Sequence, residues 1–317
     1  MSKVKNYLKL LKIDPIPILV KKAPLPVKYA TVERFLHEET ELLSKLQQEL
    51  QDFKPREKIL NLQQSDGLWK LDKKYIIEER RKAMLFLLQL KNMAQLLDYG
   101  CTKEMPAIQK GIITLLKMQK PDGKFPLLYH HHGFALWLLV KYGLLGNPFV
   151  ERGFRWIAKR QHPDGGWLSA SMVPSGVSVK SAKSGIWTTL FVCQAFSVHT
   201  RLRKSSTCQT ASKFVLENFL ESNTTSLFSE PDAWNYLYMG YTNNGLFRGG
   251  TLRFVETLSK LPYTYSHPNF KKAVNWLIDN QLPSGLFPAI VGKSTQGDYN
   301  VTLRVITALK DIEKNNS

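Results

Sequence analysis

Apolar residues recur every three to four positions in blocks along the chain, over 78–97, 104–119, 130–145, 149–161, 181–202, 208–221, 233–241, 250–260, 268–281 and 298–313. That period predicts amphipathic helices that each bury one stripe. No stretch alternates apolar and polar residues between hairpin turns, so the predicted class is all-α. A second pattern punctuates the helices. Gln63-Gln-Ser-Asp-Gly-Leu-Trp69, Gln119-Lys-Pro-Asp-Gly-Lys-Phe125, Gln161-His-Pro-Asp-Gly-Gly-Trp167 and Gln281-Leu-Pro-Ser-Gly-Leu-Phe287 share a glutamine, a turn and an aromatic at fixed spacing. The last interval is about twice the others, and a degenerate copy over Glu221–Phe228 fills the gap.

Local chemistry accounts for the pattern. Pro presets φ, Asp bonds the backbone that follows it, and Gly takes the left-handed position that ends a helix. The corner residues are therefore Gln63, Asp66, Gly67 and Trp69; Gln119, Asp122, Gly123 and Phe125; Gln161, Asp164, Gly165 and Trp167; and Gln281, Gly285 and Phe287. The glutamine amide is expected to satisfy backbone groups orphaned at neighbouring helix ends. The aromatic is expected to fold back as a packing anchor. Each unit is then a helix, a corner and a second helix, and such hairpins stack because one alone cannot bury both faces.

Gln161–Trp167, preceded by Arg152-Gly-Phe-Arg-Trp-Ile157, resembles the repeat of squalene and terpene cyclases, and the repeats of protein prenyltransferase β-subunits are similar too. The resemblance runs over about 55–315, and the style of the repeats is most like that of bacterial prenyltransferase-like proteins. It implies an α/α toroid of inner and outer helices built from about five hairpins, with a cavity at the mouth of the inner ring. The inner helices would be those that follow each corner.

The chemistry of those families does not come with the fold. The Asp-x-Asp-Asp acid of protonation-triggered cyclases is missing, and the Asp, Cys and His set that holds zinc in prenyltransferases is not found. Cys193 reads as a small buried hydrophobe, and Cys208 as part of a basic, polar linker. Isolated acid candidates are Asp232 and Asp298, either as cavity carboxyls or as helix N-caps. His130, His131 and His132 open a helix and are expected to line the cavity as polar wall; consecutive helical residues point about 100° apart, so they do not form a facial metal site. Trp187, Trp234, Tyr236 and Tyr299 are expected to line a pocket for an apolar or isoprenoid chain, the alternative for aromatics at helical spacing being ordinary core packing. Arg248 and Arg253 flank Gly249-Gly250, and with Arg304 they could fork onto a diphosphate or simply stand as solvated helix-start charges. No cofactor and no metal is expected.

Charge changes the picture at the N-terminus. Lys and Arg outnumber Asp and Glu by 44 to 26, a formal net charge of +18 that suits an acidic partner. Seven lysines but one acid, Asp14, lie in the first thirty residues. Val4, Tyr7, Leu8 and Leu11 share a helical face there, which suits an anionic membrane surface or docking on the toroid. Pro15, Pro17, Pro24 and Pro26 predict an extended linker leading into a charged helix over 31–52. The expected organisation is a basic extension and linker over 1–30, then one toroid domain over 31–317. Nucleic-acid binding is not expected, because no recognition module accompanies the charge. Three scattered cysteines and no 20-residue apolar run point to a cytoplasmic protein, peripheral on a membrane at most. The functional expectation is a cyclase- or prenyltransferase-like toroid that binds or processes an isoprenoid or other lipid-like molecule. The alternative is a non-catalytic ligand-binding or protein-interaction scaffold.

Overall fold

Proline begins helices here rather than an extended linker. A computed structural model describes residues 6–71, 80–221, 231–238, 249–261 and 264–316. A 3-10 turn over Asn6–Leu10 is followed by α1 (Ile16–Lys22), α2 (Leu25–Phe35) and α3 (Thr40–Glu49). Pro17 and Pro26 fall in the first turns of α1 and α2. A missing N–H costs nothing there, and the fixed φ favours the helical start. The expected linker is thus two helices, and the expected helix over 31–52 is divided between α2 and α3.

Next come α4 (Lys54–Leu60), α5 (Arg81–Asp98), α6 (Pro106–Lys117), α7 (Tyr129–Lys141), α8 (Pro148–Ala158), α9 (Ile186–Ser197) and α10 (Ser206–Glu217). After them lie α11 (Gly250–Leu258), α12 (Pro268–Asp279) and α13 (Tyr299–Asn316). Strand among the described residues is limited to the antiparallel pair β1 (Phe287–Pro288) and β2 (Gly297–Asp298). The described residues from Lys54 to Glu221 form one compact unit, and those up to Phe53 and from Pro231 onward form a second.

In the unit from Lys54 to Glu221, burial separates two kinds of helix. α9 buries every residue except Gln194, and α7 buries His130–Leu136 together with Leu138 and Leu139. A helix covered on all sides carries no polar stripe. α8 instead buries Val150, Gly153, Phe154, Trp156 and Ile157 while exposing Phe149 and Arg155. α7 and α9 are therefore the inner type; α5, exposed only at 81, 82 and 98, belongs with them, and α6, α8 and α10, each with exposed residues along its length, are the outer type. Cys208 sits in α10 and is buried, not in a polar linker.

The corners work as their chemistry requires. Gln63 Nε2 donates to Gly67 O at 3.2 Å and to Ala107 O at 2.9 Å. Gln119 Nε2 donates to Gly123 O and Phe149 O, both at 3.0 Å. Gln161 Nε2 donates to Gly165 O at 2.7 Å and to Thr207 O at 2.8 Å. Ala107, Phe149 and Thr207 are each the second residue of the next outer helix, so every glutamine ties its own turn to the start of its neighbour. The carboxylates of Asp66, Asp122 and Asp164 accept the N–H two residues on, at 2.9, 3.0 and 3.0 Å. Trp69 and Trp167 donate their indole N–H to Ile59 O and Ile157 O at 2.8 and 2.9 Å. Gly123 has φ +103°, and a methyl there would stand 2.7 Å from Arg152 O, so both conformation and contact demand glycine. The degenerate copy over Glu221–Phe228 lies outside the described residues beyond its first position.

At Gln281 the neighbour is the N-terminal segment. Gln281 Nε2 donates to Gly285 O at 2.8 Å and to Ile13 O at 2.7 Å, while Oε1 accepts from Lys12 N at 2.8 Å and Ile13 N at 3.2 Å. Lys12 Nζ donates to Asp279 O at 2.7 Å, where a cation meets the negative end of α12. The basic extension therefore docks where the other corners receive a helix. Gln281→Ala is expected to lower stability by about 2 kcal/mol, because several backbone groups lose their partner together. Thermal melts measure the loss, and faster tryptic release of residues ahead of α1 separates it from a change elsewhere.

The helix expected over 233–241 is a 3-10 helix over Pro231–Asn235, after which Tyr236 bridges to Ile290 and Leu237 N and Tyr238 N both reach Ala289 O at 2.9 Å. The remainder of that stretch lies outside the described residues. The carbonyls here approach the start of α11 closely. A methyl on Gly250 would stand 2.4 Å from Trp234 O, and Thr251 Oγ1 donates to Trp234 O at 3.0 Å.

Candidate ligand site

The histidine run divides by function once the helix starts are known. Phe125 N donates to His132 Nδ1 at 3.1 Å, Trp167 N to Thr189 Oγ1 at 3.0 Å, and Phe287 N to Thr302 Oγ1 at 2.9 Å. His132, Thr189 and Thr302 are each the fourth residue of the helix that follows their corner. His132 is thus the second corner's version of a threonine acceptor. With Nδ1 accepting, its Nε2 carries the proton and donates to Gly153 O at 3.0 Å. Gln89 Nε2 donates likewise to Gly111 O at 2.9 Å, and Gly111 and Gly153 are both sixth in their helices. His132 belongs to the framework and leaves the cavity-lining set proposed for it.

His130 and His131 remain at the start of α7, both buried. Their rings lie 4.0 Å apart between centroids, and His130 is 6.4 Å from Phe191 of α9. One turn further, Phe134 meets Phe191 edge-on at 6.3 Å and Trp137 at 5.3 Å. The backbones allow this because a methyl on Gly133 would stand 2.9 Å from Phe191 O. Trp187 is buried one turn before Phe191 on the same helix. Leu128 N donates to His131 Nδ1 at 3.3 Å, closing the helix start as a glutamine at that position does.

Half-buried positions also occur on these helices and on α5. On α7 and α9 the half-buried exceptions include Trp137, Val140 and Gln194. On α5, half-buried Met84, Leu88, Lys91 and Gln95 recur at helical spacing. Phe134, Trp137, Phe191 and the α5 residues are not singled out by sequence. Their signal is the i, i+4, i+7 series His130, Phe134, Trp137, which reads as ordinary core until the facing helix is known.

Burial sets the charge state. It holds His130 well below its ordinary value, with the charge of His131 acting in the same direction, and it lowers His131 to about 3. His132 falls to about 4, through burial first and then through Arg160 and Lys124, against the opposing Gly153 bond. All three imidazoles are neutral at physiological pH. They can hydrogen-bond a neutral polar group but carry no positive charge for an anion.

The other nominated residues lie in the second unit, engaged elsewhere. Asp232 pairs with Lys293 at 2.8 Å in an exposed contact, and Lys293 stands 5.7 Å from the Tyr236 ring. An exposed, paired carboxylate does not hold the proton an acid catalyst needs. Asp298 precedes α13, and its Oδ1 accepts from Val301 N at 2.9 Å, so it is the helix cap. Tyr299, half-buried, opens the same helix. Trp234 is buried against Phe254, 5.8 Å between centroids, as packing. Arg304 Nε and NH2 grip the two carboxylate oxygens of Glu256 at 2.8 and 2.5 Å, which removes its fork from a diphosphate. Arg253 is fully buried and its guanidinium is lowered to about 9, by burial, then by Arg304 and against Glu256. Arg248 lies outside the described residues. Among the described residues no three His, Cys, Asp or Glu side chains group to hold a metal, and no helix is long and apolar enough to cross a membrane.

No family model matches the chain, and no curated protein matches it. Solved structures do. A polysaccharide lyase is 15% identical over 92% of this chain and 90% of its own, with a TM-score of 0.50. A protein from Actinoplanes is 15% identical over 82% and 98%, with a TM-score of 0.39. The type II terpene cyclase MstE from Scytonema is 12% identical over 81% and 94%, with a TM-score of 0.26. At these identities the likeness concerns fold alone, and the fold class is the all-α toroid expected from the repeats.

Proposed function

We propose that the chain is a binding protein for an isoprenoid or similarly lipid-like molecule, held along α5, α7 and α9. The carrying observation is the aromatic seam His130, Phe134, Trp137 and Phe191, whose imidazole end is neutral and whose Trp137 is half-buried. Met84, Leu88 and Trp137 would take hydrocarbon, and the starts of α7 and α9 a polar but uncharged end, since a buried neutral imidazole neither repays nor neutralises an anion. Binding without cyclisation is the better reading, because protonating an alkene needs a strong acid. Asp232 is exposed and ion-paired, Asp298 caps α13, and the buried histidines are bases.

Native mass spectrometry of the full chain purified from its own host tests this. A stoichiometric lipid adduct is expected, and Trp137→Ala, which opens the seam on its accessible side, is expected to weaken retention about tenfold through lost aromatic contact. A clean apo mass, with no thermal shift on adding prenyl alcohols or fatty acids, would overturn the reading and leave a rigid interaction scaffold.

A further inference from the structure

Between Trp167 and α9 the chain leaves the helices in a long loop closed at its base. Gly185 N donates to Trp167 O at 3.1 Å, and the Asp164 carboxylate accepts from Ser184 N at 2.8 Å and Ser184 Oγ at 2.7 Å. Burial works to raise the Asp164 carboxyl, but these bonds outweigh it and hold the group ionised. A third tie fixes the loop beside the candidate site, where Tyr129 N, at the start of α7, donates to Ser169 Oγ at 3.4 Å. Compact loops with joined ends are frequently functional.

What this loop offers is unusual for a surface. Residues 174–181 are all exposed, and among them Val177 and Val179 are 46% and 44% accessible. Lys180 and Lys183 stand beside them, both exposed. Neither Asp nor Glu occurs from Gly165 to Leu216, while Lys180, Lys183, Arg201, Arg203, Lys204 and Lys213 do. A soluble polyanion would need only the cations. Apolar tips next to cations, with acid excluded, match a bilayer whose headgroups are anionic.

We propose that the 168–185 loop is a membrane-contact element, with Val177 and Val179 entering the headgroup region of an anionic bilayer and Lys180 and Lys183 on its phosphates. This brings the starts of α7 and α9 to the lipid surface. The basic N-terminal segment, by contrast, spends Lys12 and Ile13 on the Gln281 corner. The inference deepens the lipid-ligand reading and rests on that reading for its purpose.

The 317-residue chain is sedimented with phosphatidylcholine vesicles, with and without phosphatidylglycerol. Binding is expected only with the anionic lipid, and Lys180→Ala/Lys183→Ala is expected to weaken it about 30-fold. The charge-preserving pair Val177→Ser/Val179→Ser is expected to weaken it severalfold, and Val177→Trp to show a blue-shifted emission on vesicles. Two exposed lysines of α6 provide the control, and Lys110→Ala/Lys117→Ala is expected to stay within twofold. Equal loss from the control pair, unchanged binding of the serine pair, or an emission of the Val177→Trp variant that ignores lipid would each overturn the inference in favour of diffuse attraction or a soluble polyanion. The same preparation is weighed by native mass spectrometry. Retained lipid without loop-dependent vesicle binding overturns this inference alone; loop-dependent binding without retained lipid overturns the ligand reading alone.

Discussion

Between pH 7 and pH 5 the protein is expected to lose about 2 kcal/mol of stability for each of His131 and His132, with His130 adding to the loss in the same direction. The folded state holds His131 at about 3 and His132 at about 4, both below the ordinary imidazole value of 6.5. The unfolded chain therefore binds more protons than the folded one throughout this window, and stability rises with pH. The contribution is complete above the unfolded value and falls away as pH drops through 6.5 toward the folded values. A loss of this size is a large fraction of a typical domain's stability, about 5–15 kcal/mol. Denaturant titrations at several pH values measure it. His131→Gln isolates one site, because glutamine at that helical position can accept the Leu128 N–H without titrating. The variant should recover about 2 kcal/mol of the acid loss while matching wild type near neutrality. An unchanged pH slope would show that His131 titrates normally in the fold.

How far this was legible in the sequence depends on the range of each interaction. Gln161, Asp164 and Gly165 act within their own turn, so their chemistry follows from identity and spacing, and the helix-corner-helix order follows with it. His132 could not be assigned that way. Its equivalence to Thr189 and Thr302 depends on counting from helix starts, and the spacing from aromatic to acceptor differs in each copy. The residues 12–13 that complete the Gln281 corner come from 268 or more positions away, and prolines that favour a linker locally begin helices once packed neighbours hold them. Over 233–238 the local period favours helix, whereas these residues form a short 3-10 turn and a bridge, with Trp234 O and Tyr236 O close to Gly250. The candidate site is half-legible for the same reason. His130 and His131 stand out as polar residues in an apolar run, whereas Phe134 and Trp137 become distinctive only against Phe191 on the facing helix.

Arg304 has the look of a phosphate fork in the sequence, but its carboxylate partner lies 48 residues away. Removing that partner is expected to be costly. The Arg304 and Glu256 side chains are 11% and 22% accessible, and both carboxylate oxygens are engaged. Burial works to raise the Glu256 carboxyl, but Arg304, with smaller help from Lys260 and Arg253, overcomes it and keeps the group ionised. Glu256→Gln removes the carboxylate charge that opposes the Arg304 repulsion on buried Arg253 and that Arg304 grips. It should cost about 3–5 kcal/mol. Arg304→Met leaves Glu256 with the weaker attractions of Lys260 and Arg253, so the cost should sit at the lower end, about 3 kcal/mol. Replacing both by apolar residues, Glu256→Leu with Arg304→Met, removes the pair together and ends the Arg304 repulsion, but buried Arg253 still loses the Glu256 carboxylate, so it should restore only part of that loss. A double-mutant cycle from chemical denaturation decides the matter. Additive losses would show that the two side chains stabilise the fold independently, whereas a double variant more stable than either single one is the expected sign of a coupled, buried pair.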